Sequence, residues 1–129
     1  MHRSQLAGFI IDCEGGDLDE AASFWGRALG YEPSPLTDPE DEKYRQLETG
    51  PGGLHIEVQR VDHPSRVHLD IETDDIEAEV QRLERLGAKR LGIVRTWCVM
   101  EAPTGHRFCV VRPQSAEFQT TAIEREGEA

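Results

Sequence analysis

Val67-His68-Leu69-Asp70 leads into Asp75-Ile76-Glu77-Ala78-Glu79-Val80 and closes at Leu86-Gly87. The same phrase occurs earlier: Phe9-Ile10-Ile11-Asp12, then Asp17-Leu18-Asp19-Glu20-Ala21-Ala22, closing at Leu29-Gly30. Each copy is a short apolar stretch ending in aspartate, an aspartate suited to cap a helix, an amphipathic run and a terminating glycine. Two copies of one strand–helix unit in 129 residues point to a duplicated module. A seam between such modules is a natural place for a ligand.

Working outward, residues 7–13 read as a first strand, with Glu14-Gly15-Gly16 as a turn. The helix from Asp17 to Leu29 carries Leu18, Ala22, Trp25 and Leu29 on one face. Residues 33–42 form an acidic loop whose three prolines cannot enter a central strand. Strands follow at Tyr44–Glu48 and Leu54–Val61, around the Gly50-Pro51-Gly52-Gly53 turn. The second copy has a strand at Arg66–Glu72 and a helix from about Asp74 to Leu86 with Ile76, Val80, Leu83 and Leu86 on one face. Strands are expected at Ala88–Val94, Trp97–Glu101 and His106–Arg112, the last two joined by Pro103-Thr104-Gly105. The reading is one α+β domain over residues 1–113, with modules at about 6–61 and 66–112, each strand, helix, three strands. The tail, residues 114–129, is polar and acidic; Phe118, Ala122 and Ile123 allow a short amphipathic helix, although fraying is the commoner fate of such an end.

Composition narrows the partners. A formal charge of −11 repels nucleic acid and anionic membranes, leaving small molecules or proteins. No stretch approaches the ~20 apolar residues of a membrane span, and the N-terminus has no apolar signal region, so the chain reads as cytoplasmic. Cys13, Cys98 and Cys109 stand singly in apolar runs, as small buried hydrophobes rather than a disulfide framework.

Alternation along the strands sorts side chains onto two faces. Val67, Leu69 and Ile71 oppose His68 and Asp70; Leu54, Ile56 and Val58 oppose His55, Glu57 and Gln59; Phe9 and Ile11 oppose Ile10 and Asp12. The aliphatic sets must meet the helices, which gathers His55, Glu57, Gln59, His68, Asp70 and Asp12 on the other face. That face either looks at water, as in an ordinary half-buried sheet, or lines a cavity whose charged groups are paired, protonated or metal-bound.

These residues make the chain recognisable. Ala21-Ala22-Ser23-Phe24-Trp25, Leu29-Gly30-Tyr31, Val58-Gln59-Arg60-Val61, Arg66-Val67-His68-Leu69-Asp70, Leu86-Gly87-Ala88 and the run from Trp97 to Val111 resemble the vicinal oxygen chelate superfamily, which holds glyoxalase I, bleomycin-resistance proteins and extradiol dioxygenases. The likeness is greatest to glyoxalase-like domain proteins. It implies paired βαβββ modules forming a cupped, partly open mixed sheet with helices outside and ligand inside, commonly in a homodimer. It also implies four metal-ligand positions, falling here on Ile10, Glu57, His68 and Cys109. Ile10 cannot bind metal, and Cys109 is either a thiolate ligand or a core residue. His106 replaces an asparagine frequent in the relatives' last hairpin and reads as a structural turn residue.

Two classes of function follow. In the first, His55 substitutes for the missing ligand, about 6.5 to 7 Å from Glu57 along one strand face. His55, Glu57 and His68 would then hold zinc, nickel, iron or manganese and serve a lyase, isomerase or dioxygenase acting on a small oxygenated metabolite. A metal-free variant uses Glu57 or Asp70 as general base beside His68. In the second class the protein is a non-catalytic binder that sequesters a cationic, antibiotic-like ligand. Asp12, Gln59, Trp97 and Cys109 line the cavity in either case, whereas Trp25 lies on the apolar helix stripe and packs in the core.

Overall fold

The computed structural model describes residues 1–35 and 43–126, so most of the expected acidic proline loop lies outside the described residues. The chain divides into two compact units, one of Phe9–Val67 and one of Met1–Gly8 with His68–Ala129. Both are built from a strand, a helix and three further strands, an α+β architecture of two βαβββ modules. Among the described residues no helix is long and apolar enough to cross a membrane.

In the unit of Phe9–Val67 the elements are the later part of β1 (His2–Glu14), α1 (Leu18–Leu29), β2 (Glu32–Pro33), β3 (Tyr44–Glu48) and β4 (His55–Val61). The strand order is β2-β3-β4-β1. Asp17 caps α1 as expected, its carboxylate accepting from the backbone N–H of Asp19 and Glu20, and Gly30 ends it at φ 86°. Ile11, Leu18, Leu47, Ile56 and Val58 form the core, with Trp25 packed against it as the sequence implies. Strand β2 is the third strand expected of this module, for which the sequence pattern gives no bounds. Pro33 pairs with Leu47 at the edge of the order, where a missing N–H costs no ladder bond.

The second unit holds the start of β1, then β5 (Arg66–Thr73) from His68 onward, α2 (Ile76–Arg85), β6 (Lys89–Val94), β7 (Trp97–Glu101), β8 (Arg107–Val111), α3 (Phe118–Thr121) and β9 (Ile123–Arg125). Its strands run β5-β8-β7-β6, with β5 and β8 parallel and the rest antiparallel, so the sheet is mixed. Asp75 caps α2 through the N–H of Ala78. Val80, Leu83, Cys98, Met100, Phe108 and Val110 are buried together, with Ile71 against them. Val67 and Leu69, expected beside the helix, are instead 56% and 50% exposed; of the three aliphatic residues of β5 only Ile71 reaches the core under α2.

The tail does not fray at its start. Glu72, 0% exposed, accepts from the backbone N–H of Gln114 (2.6 Å) and Ser115 (3.0 Å) and from the Ser115 hydroxyl (2.6 Å). Phe118 and Ala122 are buried, and β9 pairs antiparallel with His2–Ser4. A charged carboxylate surrounded by donors and two buried apolar side chains outweigh the entropy that would free such a segment.

Candidate functional site

The parallel register of β5 and β8 sets Asp70 beside Cys109, and the antiparallel register of β8 and β7 sets Cys109 beside Val99. Paired residues in a ladder share a face, so alternation puts His68, Asp70, Glu72, Cys109, Val99 and Trp97 on one side of this unit's sheet. Ile71, Val110 and Cys98 lie on the other side, under α2. The register thus settles which face Trp97 takes, which its place at a strand start leaves open.

On that face His68 Nε2 lies 3.6 Å from Asp70 Oδ1. One ligand-type atom each from His68, Asp70 and Cys109 lies within 4.8 Å of the other two. His68 is half-buried, while Asp70 and Cys109 are only 5% and 8% exposed. Two residues along, Glu72 closes the row; burial pushes its carboxyl pKa up, but hydrogen bonds from Ser115, Gln5 and the Gln114 and Ser115 backbone outweigh that and hold it below the usual glutamate range.

The remaining expected site residues fall in the unit of Phe9–Val67. His55 Nε2 and Glu57 Oε2 form a pair at 3.2 Å, with the Gln46 amide 3.5 Å from His55 Nδ1. Ile56 and Val58 between them point into the core, and Gln59 is half-buried on the polar side. Asp12, 3% exposed, faces Arg66 Nε at 3.9 Å. Ile10 is a buried hydrophobe at 4% exposure, which agrees with its unsuitability as a ligand. His106 is exposed and bonds Thr104 Oγ1 at 2.7 Å, a turn contact.

Residues 8–111 match the family described as glyoxalase-like domain. The chain belongs to the glyoxalase-like domain family. The resemblance to the vicinal oxygen chelate superfamily is therefore borne out. Similar solved structures include a methylmalonyl-CoA epimerase in complex with methylmalonyl-CoA and NH4+, at 18% identity, TM-score 0.60, covering 90% of this chain and 97% of that one. A single-residue variant of the Streptomyces coelicolor methylmalonyl-CoA epimerase, bound to 2-nitronate-propionyl-CoA, aligns at 18% identity and TM-score 0.60, covering 87% and 97%. The methylmalonyl-CoA epimerase from Mycobacterium tuberculosis gives 17% identity and TM-score 0.57, covering 84% and 89%. At such identities the likeness establishes the fold. No curated protein matches at a significant level.

Imidazole nitrogen, carboxylate and thiolate together fit a divalent ion, and this glyoxalase-like chain brings all three within one unit. Donor atoms around one small ion stand about 3.5 Å apart, against a spread of up to 4.8 Å in this group. The charges also fit. Asp70 and an ionised Cys109 are two buried anions that a dication would neutralise. Sequence patterning offers Asp70 as a base rather than a ligand and leaves Cys109 between ligand and core; the signal that joins them is the parallel pairing of a module's first and last strands.

Proposed function

We propose that this glyoxalase-like protein is an isomerase of a small carbonyl-activated acid, working at the His68–Asp70–Cys109 face. The observation that carries the reading is the convergence of those three donors on one buried patch with Trp97 on the same face. A divalent ion held by His68, Asp70 and Cys109 would act as a Lewis acid for the carbonyl oxygen on which charge develops. Trp97 offers a flat apolar surface that shields the acidic carbon from water.

Glu57, paired with His55 at 3.2 Å within its own unit, is proposed for proton transfer on the resemblance alone. The substrate class, an acyl-CoA ester with an acidic α-hydrogen, is suggested by the ligands described for the similar epimerases. His55, Glu57 and His68 are the competing ligand set, proposed on the resemblance. A homodimer is likewise proposed, and sedimentation of the purified chain checks it.

The test is deuterium exchange at the α-carbon of methylmalonyl-CoA and related esters in D2O, read by mass spectrometry. Exchange by the wild-type chain, reduced at least about 100-fold in Asp70→Asn and in Glu57→Gln, is the expected result. Retained ion binding in Glu57→Gln assigns that residue to proton transfer, whereas its loss favours the competing ligand set. Quenching of tryptophan fluorescence by a ligand without any exchange across the panel would replace the isomerase with a binding protein.

A further inference from the structure

We propose that Cys109 is a sulfur ligand, and that the His68–Asp70–Cys109 group takes a thiophilic divalent ion such as zinc in preference to magnesium or manganese. This rests on the functional reading above and specifies which ion that site accepts.

The chain uses its cysteines in distinct settings. Cys98 lies at 0% exposure in the apolar cluster with Met100 and Val110, and burial pushes its thiol pKa up. Cys13 packs at the edge of the other core, its thiol also raised by burial and then by Asp12. Cys109 shares neither setting. It is on the opposite side of the sheet from Cys98, beside Asp70 in the ladder and within the His68 and Asp70 donor group.

Chemistry then decides the ion. A neutral imidazole, a carboxylate and a thiolate carry two negative charges, which a dication balances in a patch where Asp70 and Cys109 are almost wholly buried. Magnesium and manganese favour sets of oxygen ligands and keep several waters, and sulfur offers them little. Zinc and cobalt(II) accept mixed nitrogen, oxygen and sulfur donors in a four-coordinate site. Three protein ligands leave the fourth position for a substrate oxygen or water. On binding, the S–H bond of Cys109 breaks, the sulfur–metal bond forms and the thiol proton passes to solvent.

The experiment uses the full chain without a polyhistidine tag, stripped of metal and titrated with cobalt(II). The expected result is an intense near-ultraviolet charge-transfer band from sulfur to cobalt, lost in Cys109→Ser and kept in Cys13→Ser. Zinc should abolish the band and equimolar magnesium should not. Zinc binding to Cys109→Ser should be weaker by about tenfold or more, since even outer partners of a metal site are worth that much. Cobalt held by the wild-type chain with weak visible bands alone overturns the sulfur assignment and leaves the ion-assisted isomerase standing. Failure of the wild-type chain to bind cobalt or zinc overturns both. The wild-type spectrum decides the matter by itself if Cys109→Ser does not fold.

Discussion

Glu72 shows how a buried charge is kept. Besides the Gln114 and Ser115 donors, the Gln5 side-chain amide reaches it at 2.6 Å. Charge-assisted bonds of this kind are about twice as strong as neutral ones, and together they exceed the burial penalty. Because its folded-state pKa is lowered, Glu72 contributes stability above the ordinary glutamate value of about 4.3, and that contribution is lost as pH falls through the folded-state value. Glu79 behaves alike: burial raises its pKa, and Arg82 and His2 more than reverse this through bonds of 2.7 and 2.6 Å. Glu72→Gln should cost about 1–3 kcal/mol at neutral pH. It should also make stability fall less steeply than in the wild type as pH drops below about 4.3. Urea denaturation followed across that range checks both, and an unchanged pH slope would show that Glu72 is not a principal acid-sensitive group.

Among the elements, α1 packs closely against the chain that follows it at its last turn. The backbone N–H groups of Gly30 and Tyr31 both donate to Gly26 O at 2.8 Å, folding the chain back over the helix end. A Cβ on Gly26 would meet Tyr31 O at 2.6 Å and Pro33 Cδ at 3.3 Å. Alanine elsewhere in a helix gains about 1 kcal/mol over glycine. Here overpacking against backbone reverses the sign, and Gly26→Ala should destabilise the chain by about 1–3 kcal/mol. A melting temperature equal to or above that of the wild type would contradict this. The same turn leads through Tyr31 to β2, which begins at Glu32.

At the scale of the whole chain, the repeat is legible in the sequence because it is local. Asp17 and Asp75 announce helix starts, Gly30 and Gly87 helix ends, and alternation in β4 separates the core residues Ile56 and Val58 from the polar face. What escapes such reading is what depends on distant partners. Strand β2 is two residues long and contains a proline, so no period exists to read. The docking of the tail depends on Glu72, 42 residues before Gln114, and on Phe118 finding a buried seat. Likewise the candidate site is half legible. His68 and Asp70 stand out by alternation, but Cys109 joins them only through a parallel register between strands far apart in sequence.

Where a divalent ion binds is the central question for this molecule, and a 14.5 kDa chain suits residue-resolved NMR. Zinc titrated into the metal-free, 15N-labelled protein should shift the amides of His68, Asp70, Val99 and Cys109 first and most. Shifts centred on His55 and Glu57 with residues 68–70 and 109 unmoved, or no saturable shift at all, would contradict the His68–Asp70–Cys109 assignment.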